Sequence, residues 1–354
     1  MRNRWIGLAA FSIVLLFGAN LEIGLWDSLL LTESLSISLF ALLLGFWIAW
    51  LSIPRSPWSG AIKILNLAGM VLVSLLYAFT RDSNLYFLLI CAAVFILALL
   101  VRKIDRAAWF YVAAVALLAV LNTASLSGGN RWQIFIYDHL AVRILPDPAA
   151  TAFFANAGLP VSPELRQITG MVGYEYHDLL INSPAMQPVR DWVNLKGKTV
   201  YLQYLLSRPI QTLLEPIQQF TRLANGSNQV YLYPRFLPLS IPERVTWITS
   251  LFYSHSIWML AGLFLLGASA SWFYWTGPLS RSPLALVIFA LLISIYPMML
   301  IIWHGEPLEI ERHAVQIGIQ IRLAGGLALP LLLDALLQWQ AFRRWFDLPS
   351  TASG

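Results

Sequence analysis

Carboxylates, imidazoles and guanidinium groups gather in a few short stretches of this chain. One stretch holds Trp26-Asp27 and Thr32-Glu33-Ser34, and a second holds Thr80-Arg81-Asp82-Ser83-Asn84. A third is Tyr137-Asp138-His139. The last runs from Trp303-His304-Gly305-Glu306 to Glu309-Ile310-Glu311-Arg312-His313. Carboxylates and imidazoles are the groups that move protons in general acid–base chemistry. Guanidinium groups hold carboxylates and phosphates through charge-assisted hydrogen bonds.

The run after Arg312 carries further polar residues into an apolar segment. At 100° per residue, Glu309, His313, Gln316, Gln320 and Asp334 share one helix face, and Glu311, Gly318, Arg322 and Gly325 share the opposite one. A helix polar on two sides is expected inside a bundle, away from lipid. Arg322 sits about 6 Å from the midpoint of that segment at helical rise. A charge at that depth costs about 2.5 kcal/mol or more, so it needs an anionic partner, either a carboxylate or a phosphate. Gly318, Gly325 and Gly326 allow close approach by a neighbouring helix or a ligand.

The elements that position these residues follow from composition. The chain has 354 residues, 58% of them hydrophobic and 12% charged, with a mean hydropathy of +0.67. Soluble domains carry about 25% charged residues, and a bilayer is the solvent that accepts so much apolar surface. Apolar runs near 5–25, 32–53, 61–79, 85–101, 108–126, 256–275, 283–303 and 314–338 are each long enough to cross it. The expectation is an all-α integral membrane protein with about eight transmembrane helices, the first of them an uncleaved span. The net charge of +5 is spread over connecting segments rather than one face, which excludes a nucleic-acid reader. Cys91 is the only cysteine, so no disulfide forms within the chain.

Lys and Arg distribution gives an orientation. Arg2, Arg4, Arg55, Lys63, Arg102, Lys103, Arg106, Arg281, Arg343 and Arg344 fall on one side of strictly alternating spans. The other side holds Arg81 and Arg312 with seven acids, Glu22, Asp27, Glu33, Asp82, Glu306, Glu309 and Glu311. Both termini are therefore expected in the cytoplasm, in a bacterial-type inner membrane. The chemistry-bearing stretches then share the extracytoplasmic level.

Three regions follow: a bundle of five spans over 1–126, an extracytoplasmic domain over 127–255, and three spans with a cytoplasmic tail over 256–354. The middle region holds 18 charged residues and 11 prolines and is too apolar for disorder. Stretches such as 147–157 and 199–206 are expected to be short helices, with boundaries at Ser207-Arg208-Pro209 and Leu214-Glu215-Pro216. No cofactor is identified. His304, Glu309 and His313 could hold a divalent cation, although their spacing is not a recognised ligand motif.

Each candidate also has a plainer role open to it. Glu33 can cap a helix start, and Arg81 with Asp82 can be an exposed pair worth little. The Glu309–His313 run can be a solvated helix start, and His139 and His304 ordinary interfacial histidines.

Three stretches resemble the C-type membrane glycosyltransferases (the GT-C superfamily). Leu30-Leu31-Thr32-Glu33-Ser34-Leu35-Ser36-Ile37-Ser38-Leu39 resembles their acid-Ser helix start. Ala78-Phe79-Thr80-Arg81-Asp82-Ser83-Asn84 resembles an outer loop, and Glu311-Arg312-His313 with Gln320 and Arg322 resembles a last-helix signature. The resemblance implies transfer of a sugar from a polyprenyl-phosphate donor to a glycan, lipid or protein acceptor. It implies a carboxylate among Asp27, Glu33 and Asp82 as base. It implies Arg81, Arg312, His313 and Arg322 as phosphate contacts, with Asp138, His139, His304 and Gln320 in the substrate site. The family carries an acidic pair in its first outer loop, and this chain has no adjacent Asp/Glu pair. Its matching segments lie nearer the start, which implies that the family's first helices are missing. A non-catalytic subunit and a transporter of lipid-linked glycans are the alternative functions.

Overall fold

The computed structural model describes residues 4–18, 32–53, 59–127, 131–225, 256–277, 279, 282–308 and 310–346. Every regular element among them is helical. Among the described residues, seven helices are long and apolar enough to cross a membrane: Thr32–Ser52, Gly60–Thr80, Asp82–Leu100, Ala108–Ser125, Ile257–Thr276, Pro283–Gly305 and Ile310–Gln338. The expected first span, 5–25, is described only as the shorter apolar helix Trp5–Gly18. The chain is an all-α polytopic membrane protein. Lipid tolerates only backbone whose polar groups are bonded within the segment, and helices meet that condition alone among open structures.

The chain divides into two compact units. The first comprises residues 1–119, 227–298 and 315–354. Its centre is aromatic: Trp47 stacks on Phe87 at 6.1 Å and meets Phe95 edge-on at 5.4 Å, and Phe95 meets Tyr111 at 5.7 Å. Leucines such as Leu65, Leu72 and Leu100 point outward without protein cover, as lipid-facing side chains do. Every residue from Val315 to Gly325 is buried, so the last helix lies inside the bundle, as its two polar faces require. Gly325 makes that packing possible. A Cβ there would meet the Leu263 carbonyl oxygen at 2.5 Å and its Cα at 2.6 Å. The glycine therefore serves contact with a neighbouring helix, one of the two uses open to it from sequence.

The second unit comprises residues 120–226 and 299–314, drawing a segment from the carboxy-terminal third that a division at 126 and 255 does not anticipate. The helix Arg131–His139 continues into a π-helical turn, Leu140–Ile144, closed by the Leu145 N–H on the Leu140 carbonyl at 2.9 Å. The next helix, Pro148–Asn156, is capped by Asp147 Oδ1, which accepts from Ala149 N–H at 2.9 Å. Ile136, Leu140, Phe154, Leu165, Met186 and Val193 form the fully buried centre. A helix ends at Ser207 and the next begins at Pro209, as expected. The expected stop before Pro216 does not occur, because the helix Pro209–Gln218 runs through it. Proline removes one N–H, leaving the carbonyl four residues back, that of Thr212, without an in-helix donor. His304 Nε2 supplies the missing hydrogen bond to Thr212 O at 2.8 Å.

A candidate anion-binding cleft

The second unit contains a cleft of about 990 Å³. His139 and His304 line it together, so two sequence candidates 165 positions apart meet there. Its polar wall includes Arg143, Tyr201, Arg208 and Trp303, with Asp147 and Glu215 as its acids.

Arg143 projects from the π-helical turn, a local widening that recurs at functional sites. Its Nη1 donates to the Trp303 carbonyl at 2.6 Å, and its guanidinium lies 4.1 Å over the Trp303 ring. Its Nη2 is buried, and among the described residues it makes no hydrogen bond and no carboxylate lies within ion-pair distance. Burial lowers its pKa; Tyr201 and Glu215 oppose that, and the charges of Arg222 and Arg208 add to it. A guanidinium so placed remains protonated.

Arg208 is partly neutralised. Its Nη2 lies 3.3 Å from Glu215 Oε1, and its guanidinium stacks 4.0 Å over Tyr204. Glu215 Oε2 accepts from Trp303 Nε1 at 3.1 Å. Arg222, also on the cleft wall, pairs with Glu311. Of the three described guanidinium groups lining the cleft, Arg143 is the one with no ion-paired carboxylate among the described residues.

His139 is a neutral imidazole rather than a cation. His139 is 1% exposed, and burial, reinforced by Arg143 and His304, holds its pKa well below the usual imidazole value. Tyr201 lies against its ring at a centroid distance of 4.5 Å and donates its hydroxyl to the His304 carbonyl at 2.8 Å. Burial raises the Tyr201 pKa, so the phenol stays protonated. His304 spends Nε2 on Thr212. In the neutral ring this leaves Nδ1 as a lone-pair acceptor.

The helix Pro209–Gln218 gives the cleft its second property. Gln211 and Glu215 face the cleft, while Ile210, Leu213, Leu214 and Ile217 on the same helix are exposed, continuing from Leu206. Their spacing is that of one apolar helix face. A polar recess therefore adjoins an uncovered apolar row.

The remaining sequence candidates lie elsewhere. In the second unit, Asp138 accepts from the Tyr176 hydroxyl, and burial raises its pKa. Arg312 and His313 belong to the short helix Ile310–His313, with His313 Nε2 3.8 Å from Glu306 Oε2. Neither lines the cleft. In the first unit, Arg81 Nη1 is 3.5 Å from Glu33 Oε1, both buried, and Asn84 Nδ2 beside them donates to Ser36 Oγ at 2.9 Å. Asp82 is exposed in the first turn of its helix. Gln320 is fully buried and neither end of its amide has a hydrogen-bond partner. Arg322 is 3% exposed and donates from Nη1 to Gly318 O at 3.0 Å, one turn back on its own helix. Asp27 and Glu309 lie outside the described residues. Among the described residues, no three metal-ligating side chains converge.

Arg143, Tyr201, Arg208, Glu215 and Trp303 are absent from the sequence candidates. The signal that could have found them is the density of Arg, Tyr and Trp in an amphipathic, proline-punctuated stretch too apolar for a surface loop. Comparison with protein-family models, curated proteins and solved structures found no match to this chain.

Proposed function

We propose that the protein is a membrane glycosyltransferase that takes a polyprenyl-phosphate-linked sugar, with the phosphate held at Arg143 and the lipid lying along the 206–217 apolar row. The observation that carries this reading is Arg143: a buried cation with no ion-paired carboxylate among the described residues, stacked and aimed by Trp303, in a cleft next to uncovered leucines. A headgroup and a tail need a charged recess and an apolar track side by side. In this reading the cleft faces the periplasm of a bacterial-type inner membrane, with both termini cytoplasmic, as the Lys and Arg distribution supports.

The proposed reaction forms a bond between an acceptor hydroxyl oxygen and the anomeric carbon as the bond from that carbon to the phosphate oxygen breaks. The hydroxyl proton passes to His304 Nδ1, and the polyprenyl phosphate leaves with its electron pair and new charge held by Arg143 and Arg208. In this reading His304 takes the role of base; Glu33 is engaged by Arg81, Asp82 is not among the residues lining the cleft, and Asp27 lies outside the described residues.

The test is transfer of labelled sugar from a panel of polyprenyl-phosphate sugars, with the purified chain in proteoliposomes. Arg143→Gln is expected to lower the rate about a hundredfold, the typical effect of losing one donor to a developing oxyanion. Equal transfer by wild type and variant would exclude the assignment. A second reading, a non-catalytic subunit that binds lipid phosphates, is favoured by one observation. The cleft carboxylate Glu215 is held at both oxygens, by Arg208 and Trp303. Donor binding without transfer, over the whole panel, would select it.

A further inference from the structure

A second cleft, of about 680 Å³, lies in the first unit where six helices begin or end. Among the described residues, Lys63, Arg102 and Lys103 line it with Asp105 as the one acid, and the buried rings of Trp50 and Tyr274 form part of its wall. Lys63 Nζ is 3.1 Å from Asp105 Oδ2. Lys103 Nζ donates to the Tyr274 carbonyl at 2.7 Å and sits 4.7 Å over the Tyr274 ring. Those contacts explain two of the three cations. Among the described residues no carboxylate pairs with Arg102, and it is exposed at the cleft.

The backbone at Arg102 is informative. The helix Asp82–Leu100 ends with Arg102 N–H on Leu99 O at 3.0 Å and Lys103 N–H on Ala98 O at 2.8 Å. This is the Schellman closure, which puts one residue in the left-handed region and favours glycine there. Arg102 occupies it with φ +57°, the one positive-φ residue other than glycine among the described residues. Glycine would relieve the steric cost, so the arginine's contribution is its side chain. The closure itself does not need a cation.

We propose that this cleft binds the phosphate of an anionic membrane lipid, with Arg102 and Lys63 as its charged contacts. The shared chemistry is a phosphate ester or free phosphate. Two features favour a lipid as its source. The cleft sits at helix ends, and its Lys/Arg bias is that of the cytoplasmic leaflet, where anionic lipids concentrate. All its residues belong to the first unit, so it stands or falls independently of sugar transfer.

The test uses the full chain in phosphatidylcholine nanodiscs, with and without phosphatidylglycerol, and reads both the thermal midpoint and the amount of anionic lipid retained on transfer to detergent. Phosphatidylglycerol is expected to raise the wild-type midpoint by mass action. Arg102→Gly should fold at least as stably in phosphatidylcholine, yet lose that rise and retain about fivefold less anionic lipid, the usual effect of one basic residue at the surface. Lys63→Gln should act in the same direction. Equal anionic-lipid effects on wild type and Arg102→Gly would overturn the site. So would a rise of the same size, dependent on Arg102, with inorganic phosphate alone, which would assign the cleft to free phosphate.

Discussion

His304 Nε2 donates to the one carbonyl, Thr212 O, that Pro216 leaves without a donor in its own helix, at 2.8 Å. The proline and the histidine are coupled: one creates an orphan acceptor, and the other satisfies it and is thereby fixed as a tautomer. His304→Leu should destabilise the second unit by about 1–3 kcal/mol, because a buried carbonyl loses its partner. His304→Gln, whose amide can still donate, should recover part of that. Thermal or urea unfolding of the two variants checks the order. Equal loss would mean the hydrogen bond carries no weight.

The neutral His139 makes stability depend on pH. Burial, then Arg143 and His304, hold its folded pKa well below the usual 6.5. Above 6.5 neither state binds the proton, and the contribution is fully present. As pH falls below 6.5 the unfolded chain takes up a proton that the folded chain refuses, so stability declines toward the folded pKa. The melting temperature should drop between pH 7 and pH 5, and His139→Phe should flatten that slope. Asp138 titrates in both proteins, so the difference isolates the histidine. Identical slopes would contradict the assignment.

Glu33 and Arg81 form a buried ion pair at 3.5 Å. Removing one partner leaves an uncompensated charge, at a cost of about 3–5 kcal/mol, whereas replacing both with apolar residues is often close to neutral. Glu33→Leu and Arg81→Leu should each reduce folded yield sharply, and the double variant should regain most of it. If the pair is structural, the double variant also keeps sugar transfer. A well-folded double variant without transfer would restore Glu33 to the catalytic set.

Gly325 and Gly326 are adjacent in sequence and unequal in space. A Cβ at Gly325 would overlap the Leu263 backbone, while one at Gly326 would meet only Ile13 Cγ2 at 3.4 Å. Gly325→Ala should cost about 1–3 kcal/mol, the range for overpacking, and Gly326→Ala much less. Melting temperatures of the two variants in one detergent decide the matter.

The membrane fold is legible in the sequence because a spanning helix is a local property: twenty apolar residues identify themselves. The interior position of the last helix is also legible, since Gln316, Gln320 and Arg322 make it polar on opposite sides. The cleft is not. Tyr201 reaches His304 across 103 positions and Arg143 reaches Trp303 across 160, and no spacing rule links residues so far apart. His139 and His304 were within reach because histidine draws attention by type. Pro216 misleads for a related reason. Its local rule says stop, and a distant histidine removes the penalty.

The most direct test of the central claim is lipid binding measured by native mass spectrometry of the purified chain, comparing a polyprenyl phosphate with the corresponding polyprenol. Wild type should prefer the phosphate at least about tenfold, the scale of one charge-assisted contact. Arg143→Gln should lose that preference while still binding both lipids. Equal binding of the two lipids by wild type, or an unchanged preference in Arg143→Gln, would contradict the account.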